Sequence, residues 1–340
     1  MQEIVTMAGR IKRMLWLVLG IIVAEIVLTI AWQKPWADHF NNAQLIEGLY
    51  QNVSQQISLI WVPPDNTTIP RDESGHLIRY GRELIEHTAL YLGPQGKVMN
   101  VSNGLNCQNC HLNAGTKPFA ANYSAVASNY PKFRRRSGII ENFEKRVNDC
   151  FERSLNGDGL PHDSHEMKAI IAYLKWIGKD VAKGETPRGA GLVTLPLLNR
   201  KADPIKGREY YSKHCSSCHG NTGEGVKSEN KIEWKYPPLW GAYSYNTGAG
   251  LFRISKFATF IKANMPYGVT YDNPILTDEE AWDIAAFVNS MPHPHKNFPN
   301  DWPNISDKPM DHPFGPYADH FSTETHKYGP FSQVLKAKKR

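Results

Sequence analysis

The chain has 340 residues, of which 41% are hydrophobic, with a formal net charge of +6 and a negative mean hydropathy. This length is enough for two modest domains, and the hydropathy excludes a membrane protein with many spans. The mild positive charge favours anionic partners, whereas nothing in the sequence resembles a nucleic-acid-binding module, so nucleic acid is not expected as a partner.

A long apolar run lies near the N-terminus, over residues 14–32, and its only charge is Glu25. As a helix rising about 1.5 Å per residue it is roughly 28 Å long, close to a hydrocarbon core of about 30 Å. Arg10, Lys12 and Arg13 precede it, so the positive-inside rule places the following chain in the periplasm. No good small-x-small cleavage site follows, which favours an uncleaved inner-membrane anchor over a cleaved signal peptide.

After this segment the sequence shows the same plan twice. A helical stretch precedes a Cys-x-x-Cys-His site, an irregular stretch follows it, and a periodic helix closes the unit. The tail is rich in Pro, His and Asp and is expected to wrap over the surface as an irregular segment. The predicted divisions are an anchor at 1–35, a lead segment at 36–74, a first unit at 75–180, a linker at 181–203, a second unit at 204–292 and a tail at 293–340.

The helices of the two units have recognisable ends. Helices are expected over 78–92 and 204–214, before the two Cys-x-x-Cys-His sites. The first closing helix is expected over 163–177, with an Asp-x-x-Glu cap from Asp163 and Glu166, and the second after a Thr-x-x-Glu capping box that starts at Thr277.

The two Cys-x-x-Cys-His sites carry the strongest chemical signal. Their spacing lets two thiols form thioether bonds to haem vinyl groups while the next residue, a histidine, ligates the iron. Zinc binding or redox disulfide chemistry is the alternative, but neither explains the adjacent histidine. Two covalently bound haem c groups are predicted, attached through Cys107, Cys110, Cys215 and Cys218 and ligated by His111 and His219. The expected fold is mainly α, with two tandem cytochrome c domains after an N-terminal membrane anchor helix.

A methionine is predicted as the second iron ligand in the second unit. Met265 lies 46 residues after His219 and 12 before Thr277, in the loop before the last helix, where small c-type cytochromes often place this ligand. Met291 is a rival beyond the helix, and the alternative for Met265 is a place in the core. Histidine/methionine ligation raises the haem potential, which suits electron transfer.

The first unit has a cysteine at the matching place. Cys150 lies 39 residues after His111 and 13 before Asp163, and it is the one cysteine outside the two attachment sites. As a thiolate ligand it would lower the potential of that haem relative to its neighbour. The alternative is a buried free cysteine, which is common in proteins.

The neighbours of Cys150 are cationic or polar. In a helix, Arg146, Cys150 and Ser154 share one face at i, i+4 and i+8, and a guanidinium one turn away favours a thiolate. Arg146 can bind an oxyanion in a bidentate manner, and Ser154 adds a hydroxyl donor. Residues 134–136 are all arginines and add cations, unless they form a solvated basic face. Together these residues indicate a thiol in an anion-binding pocket, suited to small sulfur oxyanions.

At this point the sequence resembles a known family, the dihaem thiosulfate dehydrogenases, some of which act mainly as tetrathionate reductases. The resemblance covers nearly everything after about residue 75. Its motifs are Asn103-Gly-Leu-Asn-Cys-Gln-Asn-Cys-His111, Arg146-Val-Asn-Asp-Cys-Phe-Glu-Arg-Ser154, Tyr236-Pro-Pro-Leu-Trp-Gly241 and His312-Pro-Phe-Gly-Pro-Tyr-Ala-Asp319.

The resemblance implies the roles of individual residues. It implies an active-site haem ligated by His111 and Cys150, and substrate contacts from Arg136, Arg146 and Ser154. It implies a second haem that relays electrons and is ligated by methionine or, in some members, by an adjacent lysine. Asn264 occupies that adjacent position here, which favours plain ligation by His219 and Met265.

The implied reaction joins two thiosulfates into tetrathionate and releases two electrons, or runs in reverse. The implied electron partner is periplasmic or membrane-bound, for example a cytochrome c or a quinol-linked protein. Two other functions fit the haem sites. One is a dihaem electron-carrier subunit without substrate chemistry of its own. The other is a relative of the sulfur-oxidising cytochromes that conjugate thiosulfate to a carrier protein.

Overall fold

The computed structural model describes Met14, Trp16, residues 19–25 and residues 60–338. These belong to two compact units, which divide the chain between residues 58 and 59. The described residues of the first unit are helical and exposed. About half of the anchor predicted over 14–32 lies outside the described residues. Within the described ranges, no helix combines the length and the apolar character that a membrane crossing requires.

The second unit is mainly helical, with short two-stranded antiparallel sheets. Its α-helices are α1 (Glu73–Glu86), α2 (Thr88–Leu92), α3 (Leu112–Gly115), α4 (Val126–Asn129), α5 (Phe143–Asp149), α6 (His165–Ile177), α7 (Pro204–His214), α8 (Ser216–His219), α9 (Ile254–Asn264), α10 (Asp278–Ser290), α11 (Thr323–Tyr328) and α12 (Phe331–Lys338). Its strands are β1 (Ala120–Asn122), β2 (Lys132–Arg134), β3 (Ile139–Glu141), β4 (Gly191–Leu192), β5 (Val226–Lys227) and β6 (Trp234–Tyr236), paired β1 with β4, β2 with β3 and β5 with β6.

A close helix crossing is repeated along the chain. Helix α1 packs against α6, and α7 packs against α10. A Cβ atom at Gly81 would lie 1.9 Å from the carbonyl oxygen of Ala169, and one at Gly207 would lie 1.9 Å from that of Asp283. Because the backbones touch at these points, only glycine fits at either crossing. The repeated plan seen in the sequence is thus a repeated packing arrangement.

Each crossing belongs to its own hydrophobic core. The first core includes Leu84, Met167 and Ile170, and the second includes Phe257, Trp282 and Phe287, all buried. At roughly 25 cal/mol per Å² of apolar surface, each such side chain contributes on the order of 2 kcal/mol by its burial. Two separate cores in a mainly helical chain fit two cytochrome c domains.

Two helix predictions are confirmed, and for the second the predicted cap is confirmed as well. Helix α7 covers Pro204–His214, and the side chain of Asp203 accepts hydrogen bonds from the first turn. Helix α10 follows Thr277, whose hydroxyl and the carboxylate of Glu280 form the predicted capping box. In both helices the capping residues satisfy amide groups that have no partner inside the helix.

Other helix ends differ from the predictions. The predicted Asp163 cap is wrong, because Ser164 Oγ accepts the hydrogen bond from the Met167 amide at 3.1 Å and the helix starts one residue later. The helix expected over 78–92 is broken at His87, whose backbone is not helical. Helix α9 was not predicted from the sequence, although most of its residues are buried in the second core. The tail, expected to be irregular, ends in helices α11 and α12.

A Gly207→Ala substitution tests the crossing. The new methyl group would meet the Asp283 carbonyl, so the helices must separate, and we expect a loss of about 1–3 kcal/mol in the free energy of unfolding. Gly250→Ala is the matched control, since a Cβ there has no atom within 4 Å. Denaturant unfolding of the haem-loaded protein measures the stability of both variants. Equal stabilities would contradict the close backbone contact at Gly207.

Candidate active site

Cys150 lies where an α-helix widens into a π turn. Helix α5 starts after Asn142, whose side chain accepts a hydrogen bond from the Lys145 amide at 2.9 Å. The next five residues, Cys150–Ser154, are π-helical, and the amide of Leu155 donates to the carbonyl oxygen of Cys150 at 3.0 Å. Single π turns inside helices occur frequently at functional sites. The turn therefore marks Cys150 independently of its chemistry.

The thiol of Cys150 is held next to a guanidinium. Arg146 Nη1 lies 3.2 Å from Cys150 Sγ, one helical turn away as the sequence predicts. Burial by itself would raise the pKa of this thiol, but the charge of Arg146 and a hydrogen bond to His111 lower it to about 7. The thiol reciprocally raises the pKa of Arg146, which stays charged. The site therefore favours a thiolate, the form that acts as nucleophile and metal ligand.

The predicted iron ligand His111 is oriented by a backbone carbonyl. Its Nδ1 lies 2.5 Å from the oxygen of Ala121, and the buried ring of Tyr123 lies 4.5 Å away between centroids. A carbonyl partner fixes the tautomer with the proton on Nδ1 and leaves Nε2 for a metal. The structure thus brings His111, Cys150 and Arg146 together.

Ser154 does not follow the predicted helical stripe. The sequence predicts Arg146, Cys150 and Ser154 at i, i+4 and i+8 of one α-helix, but the π turn changes the pitch after Cys150. Arg146 and Cys150 keep their α-helical spacing and are in contact. Ser154, at the end of the π turn, is displaced from the helix face that these two residues share. Its hydroxyl is half-buried and has no hydrogen-bond partner within the described residues.

The three consecutive arginines have different environments. Arg135 is exposed, and its Nη1 lies 3.5 Å from Asp307 Oδ1, so the interpretation as a solvated cation holds for this residue. Arg136 lies at the turn between β2 and β3, where burial and the charge of Arg153 lower its pKa to about 10. Arg146 also acts on that pKa, which places Arg136 in the same cationic region as the thiol.

A buried ion pair beneath this region was missed by the sequence analysis. Arg153 donates to Asp301 through Nη1 at 2.8 Å and Nη2 at 2.7 Å, and its guanidinium lies 3.7 Å from the ring centroid of Phe298. Asp301 and Phe298 both belong to the tail, about 150 positions after Arg153 in the sequence. Arg153 stands inside the recognised motif around Cys150, which was the one available signal.

The second histidine site has the same support on its proximal side. Nδ1 of His219 lies 2.8 Å from the carbonyl oxygen of Pro237, and burial lowers the pKa of the imidazole. Met265 follows α9 directly, and Met265 and Met291 are both half-buried against the second core. Ligation by Met265 stays a prediction.

Asn264, the residue before Met265, connects the two halves of the unit. Its Nδ2 donates to the carbonyl oxygen of Phe119 at 3.1 Å and to that of Phe260 at 3.1 Å. The side chain is fully buried. Phe119 is two residues from Ala121, which holds His111, so one short segment contacts both the His111 ring and the residue before Met265.

The donor set fits covalent haem. None of the four cysteines of the two sites is in a disulfide, so both members of each pair can form thioether bonds to haem. Both following histidines have Nδ1 at a backbone carbonyl and can offer Nε2 to iron. A pair of thiols followed by an imidazole with one nitrogen already engaged is the arrangement that attached haem requires.

Comparison with known proteins agrees with this architecture. Residues 97–182 match the family model "SoxA/TsdA, cytochrome c domain", and residues 205–292 match the model "Cytochrome c". A thiosulfate dehydrogenase of Psychrobacter arcticus is 40% identical over 250 residues, which are 73% of each chain. A thiosulfate dehydrogenase of Allochromatium vinosum is 35% identical over 254 residues, which are 74% of this chain and 90% of that one.

This chain belongs to the thiosulfate dehydrogenase family. A solved structure of the thiosulfate dehydrogenase TsdBA from Marichromatium purpuratum is also similar, with a TM-score of 0.62 and 31% identity. The match covers 68% of this chain and 49% of that one, so it spans about half the length of the solved chain. The two cytochrome c domains and two covalently bound haem c groups predicted from the sequence are confirmed.

Substitution of each methionine distinguishes the two candidates for the second haem. Met265→Ala is expected to lower the potential of that haem and to remove the long-wavelength absorption band of methionine-ligated ferric haem, because a sulfur ligand is lost. Met291→Ala is the control, since this residue packs against the same core. A potentiometric titration with spectra measures both. Loss of the band in Met291→Ala alone would assign the ligand to Met291.

Proposed function

We propose that the chain interconverts thiosulfate and tetrathionate at the first haem site, with the second haem relaying electrons. The observation that carries the proposal is the Cys150 thiol, which lies 3.2 Å from a guanidinium nitrogen of Arg146 and close enough to His111 for that ring to lower its pKa. A pure electron carrier needs neither of these contacts. The relatives that are named thiosulfate dehydrogenases support the choice of substrate.

The charges of the pocket suit its substrate. Thiosulfate and tetrathionate are dianions with sulfonate ends, and planar guanidinium groups bind such oxygens through paired hydrogen bonds. Arg136 and Arg146 supply these groups, and Ser154 offers an unpaired hydroxyl. Charge that develops on a departing thiosulfate is stabilised by the same arginines.

The thiol supplies the covalent step. In the reductive direction the Cys150 thiolate attacks one inner sulfur of tetrathionate, the central S–S bond breaks, and one thiosulfate leaves as a dianion. The other half remains on the protein as Cys–S–S–SO₃⁻, and two electrons then cleave the bond between Cys150 Sγ and the neighbouring sulfur, which releases the second thiosulfate and the Cys150 thiolate. The oxidative direction is the reverse, so two thiosulfates give one tetrathionate and two electrons.

The haem groups supply two one-electron redox centres, which together can hold the two electrons. His111 with Cys150 and His219 with Met265 are the proposed ligand pairs. Thiolate ligation lowers the potential of the first haem, whereas methionine ligation raises that of the second. The proposed electron partner is a periplasmic or membrane protein, such as a cytochrome c or a quinol-linked protein.

A Cys150→Gly substitution tests the chemistry. We expect no turnover of thiosulfate with ferricyanide and no reduction of tetrathionate, because the nucleophile is lost, while both haems stay attached through the other four cysteines. Haem content and product analysis measure these two properties. Retained turnover would refute the role of the thiol, and an unmodified protein inactive in both directions would favour the electron-carrier function.

The protein is proposed to be periplasmic and held at the inner membrane by an uncleaved helix over residues 14–32. The support is the apolar run with its preceding basic residues. We expect the full-length protein in the membrane fraction of broken cells, released by detergent but not by salt. A mature protein that begins after residue 32, found in the soluble periplasmic fraction, would contradict the anchor.

A further inference from the structure

The tail segment 296–314 packs onto both parts of the chain that carry the predicted site residues. Lys296 Nζ donates to the Gly157 carbonyl at 2.6 Å, just beyond the π turn. The amide of Trp302 donates to the Arg136 carbonyl at 2.6 Å, at the turn between β2 and β3. The tail therefore bridges the Cys150 segment and the Arg136 turn.

Trp302 is held in an unusual conformation by this packing. Its φ angle is +60°, in the left-handed region that bulky side chains rarely occupy. The indole Nε1 donates to His312 Nε2 at 3.0 Å. The other nitrogen of the His312 ring, Nδ1, lies 3.0 Å from the carbonyl oxygen of Phe314. Burial lowers the pKa of His312 to about 4, so the ring is neutral and can accept this bond. Such a backbone persists only where its surroundings fix it, and often at functional sites.

The side chain that Trp302 faces is Arg136. The guanidinium carbon lies 5.8 Å from the indole centroid, within the range of a cation–π contact. Within the described residues the Arg136 guanidinium has no carboxylate or carbonyl partner. An aromatic partner restricts the guanidinium without occupying its N–H donors or neutralising its charge, so the group stays free to bind an anion.

The neighbouring residue Asp301 has the opposite effect on Arg153. Its carboxylate binds Arg153 through two hydrogen bonds and neutralises it. Two adjacent tail residues thus have different effects. Asp301 neutralises Arg153, whereas Trp302 orients Arg136 and leaves its charge free.

We propose that Trp302 is a positioning residue for the substrate oxyanion, because it holds Arg136 in place through its indole ring. The proposal rests on the proposed function. It also gives a role to the tail motif that begins at His312, since His312 fixes the indole.

The experiment compares Trp302→Leu, which removes the ring, with Trp302→Phe, which keeps a ring but loses the bond to His312. For Trp302→Leu we expect an increase of about tenfold in KM for thiosulfate with little change in kcat, the size of one cation–π contact. Trp302→Phe is expected to recover most of that loss. Ile305→Ala, an exposed position on the same tail, is the control and should equal the unmodified protein.

A binding measurement separates this proposal from the chemistry. Tetrathionate is titrated calorimetrically into the oxidised, haem-loaded Cys150→Ala protein, where neither electrons nor a thiol can react. Adding Trp302→Leu should weaken binding about tenfold. Equal affinity with and without the ring would overturn the role of Trp302. Absence of binding in the Cys150→Ala parent would overturn the oxyanion pocket and the proposed function with it.

Discussion

The contact between Arg146 and Cys150 is the interaction on which the candidate site depends. A buried thiol without a cation is neutral and inert, whereas here the guanidinium and His111 overcome the effect of burial. The contact exists because helix α5 keeps its α-helical pitch up to Asp149, so that residues four apart meet. The π turn begins at the next residue, Cys150, so it does not change the spacing between Arg146 and Cys150.

The two cytochrome units share a packing plan and differ in one position. In each, two helices cross at a glycine and a histidine follows a pair of cysteines, with its Nδ1 fixed by a carbonyl. The difference is the residue that precedes the closing helix, a cysteine at the start of a π turn in one unit and a methionine directly after helix α9 in the other. As the proposed iron ligands, a thiolate and a thioether would shift haem potentials in opposite directions, so this position would give similar folds different roles.

Much of this arrangement could be predicted from the sequence, for reasons that are local. The capping box at Thr277, helix α7 and the Arg146–Cys150 pair depend on residues within one or two turns of each other. The residues that surround the pocket from a distance could not be found in this way. Arg153 pairs with Asp301, which lies 148 positions later in the sequence, and no periodicity or residue spacing predicts such a contact.

Two errors at helix ends have equally definite causes. Ser164 and Asp163 are adjacent residues that can both cap a helix, and the sequence pattern did not distinguish them. The second error is the π turn at Cys150, which was expected to be ordinary α-helix. The pattern of apolar residues does not distinguish the two kinds of helix over a single turn. That turn displaced Ser154 from the predicted stripe.

The segment from Phe119 to Ala121 has a consequence for the molecule as a whole. One of its carbonyls fixes the imidazole of His111, and another accepts a hydrogen bond from Asn264, the neighbour of Met265. Phe119 and Ala121 both have positive φ angles, which few side chains tolerate, so the segment has little freedom to relax. The His111 ring and the residue that precedes Met265 are therefore connected through only three residues of backbone, whose conformation fixes the position of both contacts.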